Sequence, residues 1–269
     1  MRQVQPLAAA DDDLLASVRL VLTDLDDTLT LDGRLPAASY AALETLRDGG
    51  FAVIIVTGRP AGWCDLIARL WPITAVVGEN GAFVFRYDAG QRRIVRRFQR
   101  TNAERHSDRQ RLEGLLQGVR ARYPKIRLAA DQDYRISDVA IDICEEASPP
   151  LSEIEIAGIC SLLEAGGATA KVSSIHVNAW IGSFSKLDMS LALLADDLGI
   201  DPATARRQVV YAGDSPNDEP MFAYFPLSVG VANIARFLPA MASPPRWLTR
   251  GEGGAGFAEL SRRLLSARR

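Results

Sequence analysis

The sequence predicts an α/β protein in which a parallel-sheet core is interrupted by an inserted α+β domain. Towards both ends of the chain, short continuous apolar runs alternate with helical segments, as expected for parallel strands covered by helices on both faces. In the middle, strands of alternating polarity suit an antiparallel sheet with one less buried face. We expect the core to comprise residues 1–86 and 185–269, and the insertion to comprise residues 87–184.

The first half of the core begins with an apolar strand over Val18–Thr23, which ends in a cluster of carboxylates. A helix, a strand, a second helix and another strand are expected after it, over Ala37–Arg47, Ala52–Val56, Ala61–Leu70 and Ala75–Val77. Gly49–Gly50 marks the end of the first helix, because glycine readily adopts the conformation that follows many helices.

The insertion is expected to contain four short strands and two helices. The strands are predicted over Ile94–Phe98, Ile126–Ala130, Val139–Ile143 and Ser174–Ile181, and the helices over Ser107–Arg122 and, after Pro150, to about Ala165. His176 and Asn178 share the polar face of the last strand. They are candidates for contacts with ligand hydroxyl groups, but an ordinary exposed strand face is the preferred interpretation.

The second half of the core resumes the alternation of strands and helices. The predicted elements are a helix over Lys186–Leu198, a strand over Gln208–Ala212, a helix from near Pro216, a strand over Leu227–Val231 and a helix from about Gly256. The continuous apolar character of both strands again predicts burial on both faces of a parallel sheet.

The composition is that of an ordinary globular protein, with 48% hydrophobic and 24% charged residues. A net charge of -2 gives no electrostatic reason to expect a nucleic-acid or membrane partner. The N-terminus lacks the pattern of a signal peptide, and no apolar run approaches the ~20 residues that span a bilayer, so we expect a cytoplasmic protein. Cys64, Cys144 and Cys160 have no metal-binding or disulfide spacing. The pattern carries no prediction of oligomeric state.

Three carboxylates follow the first predicted strand directly, in the segment Asp24–Thr28. Ligands of parallel α/β sheets bind outside the carboxyl ends of the strands, and clustered carboxylates there repel one another unless a cation such as Mg²⁺ neutralises them. Asp24 and Asp26 would face the same way on an extended backbone, so one could attack phosphorus while the other transfers a proton. The alternative is an acidic helix cap or turn.

Thr57-Gly58-Arg59 follows the second predicted strand. A hydroxyl group and a glycine N–H at a strand end can hold a phosphate group. The alternative is a plain turn into a helix that begins after Pro60. Arg59 could contact phosphate or could equally pair with a nearby carboxylate.

Asp214 and Asp218 follow a third apolar strand and could complete a metal site, with simple helix capping as the alternative. Lys186 is one of only three lysines, the others being Lys125 and Lys171. A cation in the first turn of a helix opposes the helix dipole, and a transferring phosphoryl group would compensate for that. An exposed lysine is the alternative.

In chain order, Asp24–Thr28, Thr57, Lys186 and Gly213–Asp218 resemble the four motifs of the haloacid dehalogenase-like superfamily of phosphatases. The insertion between the second and third motifs resembles the type IIB cap subfamily, which includes sucrose-phosphate and mannosyl-phosphoglycerate phosphatases. Glu79–Ala82 and the segments Arg246–Thr249 and Gly254–Gly256 are similar to that subfamily as well. The resemblance implies a Rossmann-like parallel-sheet core with an inserted α+β cap domain.

The resemblance also implies a role for each motif residue. Asp24 would be the nucleophile and Asp26 the general acid and then base. Mg²⁺ would be held by Asp24, the backbone carbonyl of Asp26 and Asp214, with Asp218 as a direct or water-mediated ligand. The expected phosphate or substrate contacts come from Thr57, Gly58, Lys186, Arg59, Asn217 and Asn80, the last of which could instead serve a turn.

The predicted function is therefore Mg²⁺-dependent hydrolysis of a small phosphorylated metabolite, such as a sugar phosphate, through an aspartyl-phosphate. A phosphosugar mutase with the same nucleophile is the alternative, and its product would retain the phosphate. A regulatory module that binds phosphate without turnover is less favoured, because a binder gains nothing from carboxylates that repel one another.

Overall fold

The computed structural model describes residues 4–268, so the outermost residues of the predicted core, 1–3 and 269, lie outside the described part. The strands in it are β1 (Gln5–Pro6), β2 (Leu20–Thr23), β3 (Ala52–Val56), β4 (Ala75–Gly78), β5 (Phe83–Asp88), β6 (Arg93–Phe98), β7 (Asp138–Asp142), β8 (Thr169–Val172), β9 (His176–Trp180), β10 (Val209–Gly213), β11 (Leu227–Gly230) and β12 (Trp247–Leu248). The α-helices are α1 (Asp12–Ala16), α2 (Ala37–Asp48), α3 (Ala61–Leu70), α4 (Asn102–Arg122), α5 (Glu153–Ala165), α6 (Lys186–Ala192), α7 (Pro202–Gln208), α8 (Glu219–Tyr224) and α9 (Gly253–Ser266).

The larger sheet has the strand order β1-β12-β11-β10-β2-β3-β4-β5-β6. All neighbours from β1 to β4 are parallel, whereas β5 and β6 are antiparallel to the strand before them. In the register of the sheet, Thr23 at the end of β2 lies beside Ala212 of β10 and Ile55 of β3. The predicted α/β fold with a parallel-sheet core is confirmed, and it brings three motif-bearing strand ends together.

Helices cover both faces of this sheet. Val53 and Ile55 of β3 pack in a core with α1, α2, α3 and α9, whereas Ile54 and Val56 pack in a second core with α6, α7 and α8. Because neighbouring side chains of a strand point to opposite faces, a strand buried on both sides must be apolar throughout. Burial of each such side chain stabilises the fold by roughly 1.5–3 kcal/mol.

A second, antiparallel sheet of order β7-β9-β8 forms the insertion. Val139 and Val177 on one face pack against α4 and α5. On the opposite face, His176 and Asn178 are 2% exposed each, because this face is turned toward the core and lines a cavity with Asp24. The interpretation of this polar strand face as exposed is therefore wrong.

Strand β6 belongs to the larger sheet, where it pairs with β5, and not to the insertion in which it was predicted. Its Phe98 makes edge contacts with Phe83 and Phe85, at 6.0 Å between ring centroids in both cases, and Ile94 packs on the same core. This aromatic packing joins the hairpin to the core. The change of sheet comes after Phe98, and we propose residues 99–184 as the bounds of the insertion.

Some elements differ from the prediction in other ways. The strand predicted over Ile126–Ala130 is wrong, because an isolated bridge between Leu128 and Ile141 is its only pairing. The helix that begins at Lys186 changes after Ala192 to a π-helical turn over Leu193–Asp197. The sequence prediction missed strand β5 and the short elements β1, β8, β12, α1 and α7. Among residues 4–268, no helix combines the length and apolar character needed to cross a bilayer.

Candidate active site

Three buried carboxylates meet at the carboxyl ends of β2 and β10. Asp24 follows β2, and its backbone N–H donates to Ala212 O of β10 at 2.9 Å. Carboxylate oxygens of Asp24, Asp214 and Asp218 all lie within 4.8 Å of one another. The structure thus brings these three residues together from distant parts of the chain, as the sequence predicted.

Lys186 supplies a positive charge to this cluster. Its side chain is 7% exposed, and Nζ donates to Asp24 Oδ1 at 2.8 Å and lies 3.4 Å from Asp218 Oδ1. The backbone just before Lys186 packs against Gly81, where a Cβ atom would come within 2.0 Å of Ser185 O. Gly81 also has a φ of +104°, so glycine is required there to seat the start of α6.

The negative charge of three ionised carboxylates would exceed the single positive charge of Lys186. Burial, together with the charges of Asp218 and Asp26, raises the pKa of Asp24 to about 7 although Lys186 opposes the shift. Burial and the charges of Asp218 and Asp24 likewise raise the pKa of Asp214. A cation among these groups would favour their ionised forms, and a set of hard oxygen donors suits Mg²⁺.

Neighbouring polar groups fix the orientation of the cluster. Thr28 Oγ1 donates to Asp214 Oδ1 at 3.1 Å, and Asn233 Nδ2 lies 3.5 Å from Asp214 Oδ2. Tyr211 OH donates to Asp218 Oδ1 at 2.6 Å. Sequence analysis missed Tyr211 and Asn233. For Tyr211, the sequence offers one signal: a tyrosine inside a buried strand needs a polar partner for its hydroxyl group.

The loop after β3 lies beside the cluster. Thr57 is buried, and its Oγ1 accepts a hydrogen bond from the Arg59 N–H at 3.0 Å. A Cβ atom on Gly58 would stand 3.2 Å from the side-chain amide of Asn80. Asn80 is 7% exposed, and its Nδ2 has no hydrogen-bond partner among residues 4–268. Buried amides are normally paired, so this orphan donor beside Gly58 is compatible with a ligand contact.

Arg59 does not stand free to meet a phosphate group. Its Nε lies 3.0 Å from each carboxylate oxygen of Asp26, so the pairing with a carboxylate that the sequence left open is the one present. The carboxylate of Asp26 lies outside the acidic cluster but lines the same narrow cavity. Asn217 lines this cavity too, and its Oδ1 accepts a hydrogen bond from Ser215 Oγ at 2.7 Å.

The sequence profile of haloacid dehalogenase-like hydrolases matches residues 21–113, which include the first two motif segments. Over this segment the chain is therefore similar to the haloacid dehalogenase-like hydrolases. No curated protein sequence matches the chain significantly.

Solved structures share the fold of this chain across nearly its whole length. A Thermoplasma acidophilum protein is 18% identical over 92% of this chain and 98% of its own, with a TM-score of 0.68. A sucrose-phosphatase from Synechocystis sp. is 17% identical over 91% and 97%, with a TM-score of 0.63. A subclass IIB sugar phosphatase of the haloacid dehalogenase superfamily is 13% identical over 91% and 98%, with a TM-score of 0.61.

The insertion, or cap, is docked on the core by polar contacts. The carboxylate of Glu79 in the core accepts hydrogen bonds from the backbone N–H groups of Ile136, Ser137 and Asp138, at 2.6–3.2 Å. Arg135 NH1 of the cap donates to Gly58 O at 3.0 Å. These contacts place the polar face of the cap sheet over the acidic cluster.

The cap residue Glu145 makes two charged contacts within this interface. Its Oε2 lies 2.9 Å from His176 Nε2, and its Oε1 lies 2.8 Å from a terminal nitrogen of Arg59. The hydrogen bond from His176, together with Arg59, lowers the pKa of Glu145 to about 2. The contribution of ionised Glu145 to the free energy of unfolding is fully present above the ordinary glutamate pKa. It is lost as the pH falls towards 2.

We therefore expect acidification to destabilise the wild type more than Glu145→Gln, since glutamine cannot be protonated in this range. Urea unfolding compared at about pH 6 and about pH 3 measures the difference. Glu146→Gln, at the exposed neighbouring residue, is the matched control and should retain the wild-type pH dependence. Identical pH dependence in Glu145→Gln and the wild type would contradict the prediction.

Proposed function

We propose that this protein is a Mg²⁺-dependent phosphatase that hydrolyses a small phosphomonoester through a phosphorylated Asp24. The 2.8 Å contact between Lys186 Nζ and Asp24 Oδ1, inside a cluster of buried carboxylates, carries this proposal. Phosphoryl transfer requires positioning and charge neutralisation more than other chemistry, because a carboxylate and a phosphate dianion repel each other.

The donor set fits a magnesium ion. Asp24, the backbone carbonyl of Asp26 and Asp214 would hold it, and Asp218 would hold it directly or through water. Asp218 already accepts hydrogen bonds from Tyr211 and from the backbone of Asp214, which favours the indirect role. When bound, the ion supplies neutralisation of the phosphoryl oxygens and of the nucleophile.

In the proposed first step, Asp24 attacks phosphorus and the bond to the leaving oxygen breaks, while Asp26 donates a proton to that oxygen. In the second step, Asp26 takes a proton from water, whose oxygen attacks phosphorus and releases phosphate from Asp24. We propose that Thr57, the Gly58 N–H, Asn80, Asn217 and Lys186 bind the phosphoryl oxygens.

The substrate class is inferred from the cap side of the cavity. Ser173, His176 and Asn178 contribute hydroxyl, imidazole and amide groups to its lining. Such groups suit a polar leaving group with hydroxyl substituents, as in a sugar phosphate or a related metabolite. The sugar phosphatases that share the fold, one of them bound to sucrose and phosphate, support the same class.

We expect chelation of divalent ions to abolish phosphate release and added Mg²⁺ to restore it. Asp214→Asn should raise the Mg²⁺ concentration at half-maximal activity by roughly 10–100-fold, because it removes a charged donor from the cluster. The measurement is phosphate released from an aryl phosphate, followed by a panel of sugar phosphates. Turnover that survives chelation would overturn the metal-dependent mechanism, and conversion of a sugar phosphate to an isomer without phosphate release would indicate a mutase.

A further inference from the structure

Arg59 connects the proposed general acid to the cap. Besides their contact with Asp26, its terminal nitrogens lie 2.8 Å from Glu145 and 3.3 Å from Asp131, and both of these carboxylates belong to the cap. The side chain is 4% exposed, and one face of the guanidinium group stacks 4.4 Å from the Trp63 ring centroid. Three carboxylates and an aromatic ring therefore determine its position.

We propose that Arg59 is a positioning residue that latches the closed cap and thereby holds Asp26 in place for proton transfer. The inference rests on the proposed function, and it adds that proton transfer by Asp26 depends on docking of the cap. Glu145 and Asp131 are the cap half of the latch. They bind the same guanidinium group that binds Asp26.

The latch shares Asp131 with the rest of the interface, since Asp131 Oδ1 also accepts hydrogen bonds from Arg135 Nε and NH2 at 3.1 and 3.0 Å. Contact with Asp26 distinguishes Arg59 from the other interface residues. Glu79 and Arg135 also join cap and core, but they contact backbone groups of Ile136, Asp138 and Gly58 and none of them touches Asp26. Asp26 and Arg59 belong to the core and stay close together when the cap moves away. Opening the cap removes two of the three carboxylates that orient Arg59.

The consequence follows from the shape of the arginine side chain. A guanidinium group donates in a rigid planar fork, so its partners fix its orientation, and it in turn fixes the carboxylate that it binds through Nε. Without the two cap carboxylates, Arg59 and Asp26 can rotate together as a pair. Asp26 would then be held in its observed orientation only while the cap is closed.

Glu145→Gln tests the cap half of the latch, since it retains the shape of the side chain and removes its charge. We expect kcat for phosphate release to fall by about tenfold, the equivalent of one charge-assisted hydrogen bond, with a smaller change in KM. Hydrogen exchange at the amides of Ile136, Ser137 and Asp138 should become about tenfold faster, because the cap opens more often. Asp131→Asn should act in the same direction, and Glu146→Gln, which is exposed and has no contact with Arg59, should change neither quantity.

A double-mutant cycle tests whether Glu145 acts through Arg59. In an Arg59→Lys background, Glu145→Gln should cause little further loss of kcat, whereas additive losses would overturn the latch. Unchanged amide exchange in both Glu145→Gln and Asp131→Asn would overturn cap latching. Faster exchange with an unchanged kcat would overturn the link to Asp26. The exchange measurement needs no turnover, so it decides the latch even if the chain releases no phosphate.

Discussion

Asp24→Asn is expected to lower the rate of phosphate release by at least about 10⁴-fold, because a neutral amide is no nucleophile towards phosphorus. The substitution preserves the shape of the side chain, and the 2.8 Å contact with Lys186 can persist with the amide oxygen. The fold should therefore remain intact. Phosphate release under saturating aryl phosphate and Mg²⁺, with circular dichroism on the same samples, measures both expectations.

Asp13→Asn makes a matched control for this variant, since Asp13 lies in the exposed first turn of α1. It should release phosphate at the wild-type rate. If Asp24→Asn retained more than about one hundredth of the wild-type rate, Asp24 could not be the nucleophile.

Lys186→Met should give the second largest effect, a fall in kcat of about 10³-fold. The variant keeps the length and much of the volume of the side chain but leaves Asp24 and Asp218 without their ammonium partner. The remaining carboxylates then repel the incoming phosphate group in a buried site, where charge interactions are strong. Steady-state phosphate release at several Mg²⁺ concentrations measures the loss.

Lys125→Met is the matched control for this substitution, because Lys125 is exposed in the cap and the chemical change is the same. Its kcat should equal that of the wild type. Full activity of Lys186→Met at any Mg²⁺ concentration would show that the ammonium group is dispensable, and would contradict the proposed phosphate-binding role.

Much of the core could be predicted because its signals are local. The continuous apolar runs of β2 and β3 follow from burial on both faces, and the bounds of β3 and α3 agree with the prediction. The meeting of Asp24 with Asp214 and Asp218 was predictable for a related reason. Residues that follow parallel strands of one sheet arrive at the same edge, whatever their separation in the chain.

Contacts between cap and core were not predictable in this way. Arg59 had two possible partners in the sequence, and the two cap carboxylates that it binds lie 72 and 86 residues further along the chain. The burial of His176 and Asn178 depends on the same docking, since a polar strand face has one pattern whether water or another domain covers it. The membership of β6 in the larger sheet depended on aromatic packing with β5.

The sequence by itself determined the parallel strands β2, β3, β4, β10 and β11 of the core. It also determined the four segments that carry the acidic, hydroxyl and lysine side chains. These properties depend on hydrophobic periodicity and on the direction of parallel strands, which are fixed within short stretches of chain. Only the tertiary structure decided the partners of Arg59, the role of Glu79 in holding the cap and the position of Glu145 beside His176. Those contacts depend on how the cap docks on the core, and that relation has no local pattern in the sequence.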